Sequence, residues 1–130
     1  MNKKKDIRIL VIDDEFSIRE SLADYFEDFE FQVETAASAE EALERVSESS
    51  FHVAIVDMRL PGLDGNGFIV RASRMDSRLQ FIIHTGSVNY TVSPEVQKAG
   101  VTAEQVFLKP VYEMNQLVKM VESLVFPKDD

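Results

Sequence analysis

Five short apolar runs, separated by longer amphipathic segments, constrain the fold of this chain more than any other feature. The runs lie at 7–12, 31–35, 51–56, 81–84 and 106–108. All but the second are near-continuous, as in "IRILVI" and "FHVAIV". Continuous β-branched and aliphatic runs are typical of strands that are buried on both faces. The runs therefore predict five strands of a parallel sheet.

The segments between and after these runs place apolar residues at the i, i+3, i+4 and i+7 spacing of amphipathic helices. The predicted helices lie at 16–29, 39–48, 66–76, 93–99 and 111–125. Two of them have start signals: Ser38 with Glu41 three residues on, and Ser93 before Pro94. The alternation predicts a (βα)5 domain, with helices on both faces of the sheet and right-handed crossovers.

The composition limits the domain count and the kind of site. A chain of 130 residues fits one domain, which we expect to span 1–130 with a core at about 6–126. The chain has no cysteine, which excludes disulfides, thiolate zinc sites and cysteine nucleophiles. The net charge of −9 argues against direct nucleic-acid binding. No apolar run approaches the ~20 residues that cross a bilayer, so we expect a soluble, cytoplasmic protein without membrane contact.

Charged and hydroxyl side chains follow four of the five predicted strands. They are Asp13 and Asp14 after the first, Asp57 after the third, Thr85 after the fourth and Lys109 after the fifth. In doubly wound parallel sheets, ligands bind beyond the carboxyl ends of the strands. If the strand order is 2-1-3-4-5, which the sequence does not show, these side chains meet at one edge.

Three neighbouring carboxylates repel one another strongly. Two of them ~4 Å apart repel by roughly 4 kcal/mol at an effective dielectric near 20. A hard cation such as Mg²⁺, which prefers oxygen ligands, would relieve this repulsion. An aspartate beside such an ion can attack phosphorus and form an aspartyl phosphate. The chain has no GxxxxGK[ST] loop, so the phosphoryl group would have to come from a donor.

Four segments, in this order and spacing, carry a resemblance to a known family. They are "VIDDE", "VDMRLPGLDG", "HTG" and "LKP". Over essentially its whole length, the chain resembles the receiver domains of two-component response regulators. The resemblance implies a flavodoxin-like α/β fold with a five-stranded parallel sheet of order 2-1-3-4-5. It also implies a phosphorelay receiver whose phosphoryl donor is a phosphohistidine of a histidine kinase or a histidine phosphotransfer protein.

The resemblance also assigns roles to the residues at the strand ends. Asp57 is the implied phosphoacceptor, and Mg²⁺, or Mn²⁺ as a substitute, is the implied metal. Asp14 would bind the ion directly and Asp13 through water, while Asp57 and the backbone carbonyl of Arg59 would complete the set. We expect a protein that can catalyse its own phosphorylation and dephosphorylation but is not a conventional enzyme.

The remaining implied roles concern the switch. Thr85 would be the hydroxyl that moves toward the phosphoryl group, shifting an interaction surface on the fourth helix, fifth strand and fifth helix. Lys109 would pair with Asp57 before phosphorylation and with the phosphoryl group after it. The Lys109–Pro110 bond is expected to be cis. The downstream protein or output domain is not implied by any motif.

Three features depart from the family pattern. Val106 stands where the family usually has Tyr or Phe, so either Phe107 lies on the opposite face or the strand is shifted. The segment "GVTAEQVFLKP" is about two residues longer than the common pattern, which predicts an altered loop before strand five. Arg59 and Ser87 occupy positions that tune dephosphorylation in the family.

Two other functions remain open at this point. A Mg²⁺-dependent phosphatase with an Asp nucleophile usually carries a second Asp two residues on, where this chain has Arg59. A receiver-like interaction module that is never phosphorylated would not need the complete acid set. We interpret His52 and His84 as structural residues, and Glu15 as a helix-start acid rather than a ligand.

Overall fold

Strands and helices alternate along the chain as the sequence predicts, in a computed structural model that describes residues 6–126. The strands are Arg8–Ile12 (β1), Gln32–Ala36 (β2), Val53–Val56 (β3), Gln80–Thr85 (β4) and Val106–Leu108 (β5). The helices are Phe16–Asp28 (α1), Ala39–Glu48 (α2), Gly65–Met75 (α3), Pro94–Lys98 (α4) and Asn115–Val125 (α5). The ends of the predicted domain, 1–5 and 127–130, lie outside the described residues.

All five strands form one parallel sheet of order β2-β1-β3-β4-β5, which confirms the assumed order. In this register Ile12 lies beside Val56, Val56 beside Ile83, and Thr85 beside Leu108. Because parallel strands end on the same side, the residues that follow β1, β3, β4 and β5 meet at one edge. The fold is therefore the predicted flavodoxin-like arrangement.

A hydrophobic layer covers each face of the sheet. Alternate residues of one strand point to opposite faces, so Leu10 packs with one cluster and Val11 with the other. The first cluster includes residues of α2, α3 and α4, such as Phe68 and Val96. The second includes residues of α1 and α5, such as Phe26. Burial on both faces explains why β1 and β3 have near-continuous apolar sequences.

Both predicted caps are present. Ser38 Oγ accepts a hydrogen bond from the Glu41 backbone N–H at 3.1 Å, and Glu41 Oε1 accepts one from the Ala37 N–H at 2.7 Å. Ser93 caps α4, with Pro94 at its first position. These contacts satisfy N–H groups that a helix start otherwise leaves without partners.

The fifth helix begins at Asn115, so the prediction of helix from residue 111 is wrong. Val111 and Met114 pack against the core in an irregular segment that follows the cis Lys109–Pro110 bond. Their spacing therefore reflects burial and not helical hydrogen bonding. Apolar periodicity cannot separate the two, since it reports only which side chains face the core.

The side chain of Gln105 holds the loop before β5 against the neighbouring strand β4. This loop contains a short 3₁₀ turn, Ala103–Gln105. Gln105 is buried; its Nε2 donates to the Phe81 carbonyl at 2.7 Å, and its Oε1 accepts from the Thr102 N–H at 2.9 Å. Because β5 has only three residues, this side chain adds a link between the loop and β4.

Val106 and Phe107 lie on opposite faces of the sheet, because successive side chains of a strand alternate between its faces. Val106 packs with the α3–α4 side of the sheet, and Phe107 packs with the α1–α5 side. Phe107 thus lies on the opposite face from Val106, which is the first of the two alternatives. Among residues 6–126, no helix has both the length and the apolar content to cross a bilayer.

Candidate functional site

Three carboxylates meet at the edge where β1 and β3 end. One oxygen each from Asp13, Asp14 and Asp57 lies within 4.8 Å of the others. Asp13 and Asp57 are buried, and Asp14 is exposed. The sheet places the buried pair, because the Asp13 N–H donates to Ala36 O at 3.2 Å and the Asp57 N–H to Ile12 O at 3.0 Å. The convergence is the one that the sequence predicts.

Lys109 brings a positive charge into this cluster from the end of β5. Its backbone N–H donates to the Thr85 carbonyl at 2.8 Å, which continues the strand pairing. Its Nζ lies 2.8 Å from Asp13 Oδ2 and 3.5 Å from Asp57 Oδ2. Burial alone would lower the pKa of Lys109, but the hydrogen bond and charge of Asp13, and then Asp57, raise it. The family resemblance implies Asp57 as the partner of Lys109, whereas Asp13 is the nearer of the two carboxylates.

The environment of Asp57 penalises its negative charge. Burial raises the pKa of this carboxyl, and the charge of Asp13 adds to the effect. The Arg59 N–H, 3.2 Å from Oδ1, and the Lys109 ammonium act in the opposite direction without cancelling it. A second cation at this edge would therefore favour the ionised form, which is the form that acts as a nucleophile.

Asp13 and Asp14 differ in how far their oxygens are already engaged. Asp13 Oδ1 accepts from the Glu15 N–H at 2.9 Å, and Oδ2 accepts from Lys109. No hydrogen bond or ion pair engages the Asp14 carboxylate within residues 6–126. Glu15 is the N-cap residue of α1 and does not belong to the carboxylate cluster. This difference fits a direct role for Asp14 and an indirect one for Asp13.

The donor set suits a hard divalent cation. All three side chains offer carboxylate oxygens, and no histidine or cysteine accompanies them in the cluster. Mg²⁺ and Mn²⁺ favour such ligands, whereas zinc and copper favour nitrogen and sulfur. The cluster could therefore hold a metal ion. The role of the Arg59 carbonyl as a further ligand stays a prediction.

Thr85 and His84 end β4 on opposite faces. Thr85 is fully buried, and its Oγ1 accepts a hydrogen bond from the Ser87 N–H at 3.2 Å. His84 is buried on the α1–α5 side, and its Nδ1 has no hydrogen-bond partner among the residues that the structure describes. Burial, with a further contribution from Lys109, lowers the pKa of His84 to about 4. The imidazole is therefore neutral at pH 7.

Two grooves flank the carboxylate cluster. The α4–β5 groove has a volume of about 780 Å³ and is lined by Tyr90, Val101, Val106 and Leu108, among others. The α1–β5 groove, of about 480 Å³, includes His84 and Lys109 in its lining. Tyr90, which the sequence analysis missed, donates through its hydroxyl to Asn66 Oδ1 at 2.9 Å. No periodic signal marks this residue, since it lies in the irregular segment before α4.

One further contact that the sequence analysis missed supports the cluster from α1. Arg19 Nη1 donates to the backbone carbonyl of Asp13 at 2.8 Å, and its guanidinium lies over the Phe16 ring, 5.5 Å from the centroid. Arg19 therefore ties the first turn of α1 to the end of β1. Its spacing six residues from Asp13 carries no known signature.

Comparison with known proteins gives a consistent result. The model of a family described as response regulator receiver domain matches residues 9–122. Transcriptional regulatory protein FixJ of Bradyrhizobium diazoefficiens is 31% identical over 117 residues, which cover 90% of this chain and 56% of FixJ. Sporulation initiation phosphotransferase F of Bacillus subtilis is 30% identical over 121 residues, which cover 92% of this chain and 93% of that protein.

Solved structures agree with these relatives. The crystal structure of a CheY-like response regulator receiver domain protein from Methanospirillum hungatei matches with a TM-score of 0.80 and 30% identity. The match covers 91% of this chain and 93% of that chain. The chain thus spans about half the length of FixJ but nearly all of sporulation initiation phosphotransferase F and of the Methanospirillum hungatei chain.

Proposed function

The chain belongs to the family of response regulator receiver domains, and we propose on this basis that Asp57 accepts a phosphoryl group from a phosphohistidine. The observation that carries the proposal is the position of Asp57 beside one positive charge and two further carboxylates. Lys109 Nζ lies 3.5 Å from its Oδ2, and the other two carboxylates of the cluster could hold a cation beside it. Transfer of a phosphoryl group depends largely on such positioning and charge neutralisation.

The transfer exchanges one bond to phosphorus for another. An oxygen of Asp57 attacks the phosphorus while the phosphorus–nitrogen bond of the donor breaks, and the bonding electrons return to the imidazole ring. A bound Mg²⁺ would neutralise charge that develops on the phosphoryl oxygens. Lys109 supplies a fixed ammonium near Asp57, and the buried Thr85 hydroxyl would supply a hydrogen-bond donor.

Within the metal site we assign different roles to the acids. Asp14, exposed and unengaged within the described residues, would bind Mg²⁺ or Mn²⁺ directly. Asp13, whose oxygens already accept from Glu15 and Lys109, would act through water. The backbone carbonyl of Arg59 would be the third protein ligand beside Asp57. The carboxylate chemistry of the cluster supports this assignment.

Phosphorylation would act on the switch face through Thr85 and Lys109. The Thr85 hydroxyl would turn toward the phosphoryl group and release the Ser87 N–H, which starts the segment before α4. Lys109 would give up part of its contact with Asp13. Both shifts would alter the surface of α4, β5 and α5 for a downstream partner, and this surface includes the α4–β5 groove.

The donor in this proposal is a histidine kinase or a histidine phosphotransfer protein. The relative whose name is sporulation initiation phosphotransferase F supports phosphoryl transfer by a chain of this length. We do not propose a conventional enzyme, because Arg59 stands where an Asp-dependent phosphatase usually carries its second acid. Turnover of a phosphomonoester such as p-nitrophenyl phosphate would favour the phosphatase instead.

Mass spectrometry after incubation with Mg²⁺ and a small phosphoryl donor tests the central step. Phosphoramidate is a suitable donor because it carries the same phosphorus–nitrogen bond type as phosphohistidine, and acetyl phosphate is a second one. We expect a mass gain of one phosphoryl group in the wild type and in the control Asp24→Asn, which changes an exposed acid of α1. Asp57→Asn should show no gain. No gain in the wild type from either donor or from a cognate kinase would refute the proposal.

Thermal unfolding tests the metal site separately. Mg²⁺ binds only the native site, so it should raise the melting temperature, with a further rise at each higher concentration. Asp14→Asn should reduce this rise by removing the direct ligand. A melting temperature that does not change up to millimolar Mg²⁺ in the wild type would exclude a pre-formed site.

A further inference from the structure

Glu40 contacts the loop that leads away from Asp57. This β3–α3 loop comprises residues 57–64, and Glu40 lies in the first turn of α2. Glu40 Oε2 accepts a hydrogen bond from the Leu63 N–H at 3.0 Å, which joins residues 23 positions apart in the sequence. Glu40 is not a member of the carboxylate cluster, so binding of a cation there does not account for this contact.

Gly62 provides the space for the Glu40 carboxylate. A Cβ at this position would lie 2.9 Å from Glu40 Oε2, closer than such atoms approach each other. Gly62 also has φ of +76°, a conformation that residues with a Cβ adopt only under strain. The loop sequence therefore supplies both the turn and the open approach that the contact with α2 requires.

The two ends of the β3–α3 loop are held against the phosphoacceptor. The Arg59 N–H donates to Asp57 Oδ1 at 3.2 Å, and the Gly65 N–H donates to Met58 O at 3.4 Å. A Cβ at Gly65 would lie 2.5 Å from the Asp57 carbonyl oxygen, so α3 begins directly against that backbone. Glu40 adds an anchor from a different element, near the far end of the loop.

The contact is made by a charged acceptor. The hydrogen bond from the Leu63 N–H lowers the pKa of Glu40, and Arg71 contributes in the same direction. The carboxylate is therefore ionised at neutral pH, and hydrogen bonds to ionised acceptors are stronger than those between neutral groups. The start of α2 also favours a negative charge at this place.

We propose that Glu40 is a positioning residue that holds the β3–α3 loop in the conformation needed for metal binding beside Asp57. This inference rests on the proposed function, in which the Arg59 carbonyl of the same loop is a ligand. Groups that orient the ligands of a metal contribute to its affinity without touching it. Without the Glu40 anchor, the loop backbone would be less ordered in the absence of the ion, and the entropy lost on ordering it would weaken binding.

Three variants separate positioning from simple stabilisation of α2. Glu40→Ala removes the acceptor, and Glu40→Gln retains an oxygen that can accept from Leu63. Glu41→Ala is the matched control, because it removes a carboxylate from the same turn and breaks the cap contact with Ala37 but leaves the loop contact intact. The Mg²⁺ dissociation constant is measured by titration calorimetry, and amide hydrogen exchange at Leu63 is followed by NMR.

We expect Glu40→Ala to raise the Mg²⁺ dissociation constant roughly three- to tenfold. Loss of a group that orients a metal ligand typically costs about 10–100-fold in affinity, and Glu40 acts on the ligand only through the loop backbone. Exchange at the Leu63 amide should accelerate in the same variant. Glu40→Gln should stay within about twofold of the wild type, since the hydrogen bond is retained. Gly62→Ala, which forces the carboxylate away, should change the dissociation constant in the same direction as Glu40→Ala.

The outcomes distinguish this inference from the proposed function. A wild-type dissociation constant in Glu40→Ala would overturn the inference and leave the metal site itself intact. Equal weakening in Glu40→Ala and Glu41→Ala would also overturn it, because the effect would then belong to α2 as a whole. Equal weakening in Glu40→Gln and Glu40→Ala would show that the hydrogen bond is not responsible. Failure of the wild type to bind Mg²⁺ would overturn both the inference and the metal part of the proposed function.

Discussion

The carboxylate site and the α4–β5 region, residues 86–108, adjoin each other at one edge of the sheet but are held in place differently. The site residues follow β1 and β3, which have a strand neighbour on both sides and are almost fully buried. The α4–β5 region consists of a five-residue helix, a short 3₁₀ turn and a three-residue edge strand beside an open groove. A site that must hold its charges at fixed distances thus lies on the most constrained strands.

The difference also appears in the kind of contact that dominates each region. In the site, Asp13 is 1% exposed and depends on an ion pair with Lys109. In the α4–β5 region, Val88 is 78% exposed and Leu108 is 47% exposed, and a few side chains such as Gln105 and Tyr90 hold the backbone. Regions with few buried contacts open at low free-energy cost, which suits the change that we propose for this surface on phosphorylation. Four substitutions test this contrast.

Lys109→Met should have the largest effect, because it leaves Asp13 buried without its counter-charge. Removing one partner of a buried ion pair costs about 3–5 kcal/mol. We expect a loss near ~3 kcal/mol in the free energy of unfolding, since Lys109 remains partly in contact with solvent. Mg²⁺ should recover part of the loss by neutralising the same carboxylates. Urea unfolding with and without Mg²⁺ measures both effects.

The matched control for this variant lies in the other region. Lys98→Met removes the same charge from an exposed position on α4 and should change stability by less than about 0.5 kcal/mol. Similar losses in the two variants would show that the site is no more constrained than its neighbour.

His84→Leu should change how stability depends on pH. Burial lowers the pKa of His84 from 6.5 to about 4 in the folded protein. The stability that depends on a neutral His84 is therefore fully present above pH 6.5 and is lost as the pH falls toward 4. A shift of this size corresponds to about 3 kcal/mol at most. Between pH 7 and pH 4.5, urea unfolding should therefore show a larger decrease in the free energy of unfolding for the wild type than for the variant. Equal decreases in the wild type and in His84→Leu would mean that protonation of His84 does not oppose folding.

Gln105→Ala should destabilise the α4–β5 region by an intermediate amount. The substitution removes the hydrogen bond to the Phe81 carbonyl and leaves that oxygen without its side-chain partner, which costs about 1–3 kcal/mol. Amide exchange should increase in β5 more than in β1 and β3. Gln116→Ala, at an exposed position of α5, is the control and should have little effect. A uniform increase in exchange over the sheet would mean that the two regions unfold together.

Val106→Phe should have the smallest effect. A ring inserted in a packed core costs about 1–3 kcal/mol, but Val106 lines an open groove, so we expect less than about 1 kcal/mol. Ile83→Phe is the comparison, because Ile83 pairs with Val106 in the sheet and is fully buried. Equal costs in the two variants, measured by urea unfolding, would show that the groove closes in solution.

Much of the fold could be predicted from the sequence because burial on both faces of a parallel sheet leaves a continuous apolar run. The helix starts at Ser38 and Ser93 could be predicted for a similar reason, since capping is a local contact between residues three positions apart. The predicted start of α5 at residue 111 was wrong because Val111 and Met114 pack against the core without being helical. The single-domain prediction for residues 1–130 stays a prediction.

The sequence predicts which carboxylates form the candidate site but not which of them Lys109 contacts most closely. Asp13, Asp14 and Asp57 each follow a recognisable strand, and the edge at which parallel strands end brings them together. Which carboxylate lies nearest to Lys109 depends on distances between side chains from three strands, and no sequence spacing encodes it. The contact between Glu40 and Leu63 was missed for the same reason.

Periodicity and local hydrogen bonding are enough to predict the succession of strands and helices along the chain and the residue types available at the strand ends. Only packing of the whole chain brings Lys109 closer to Asp13 than to Asp57 and lets Gln105 link the loop before β5 to β4. It also decided that Phe107 faces α1 and α5 while Val106 borders the groove. These choices depend on which side chains meet across the sheet, and such contacts arise only when the whole chain is packed.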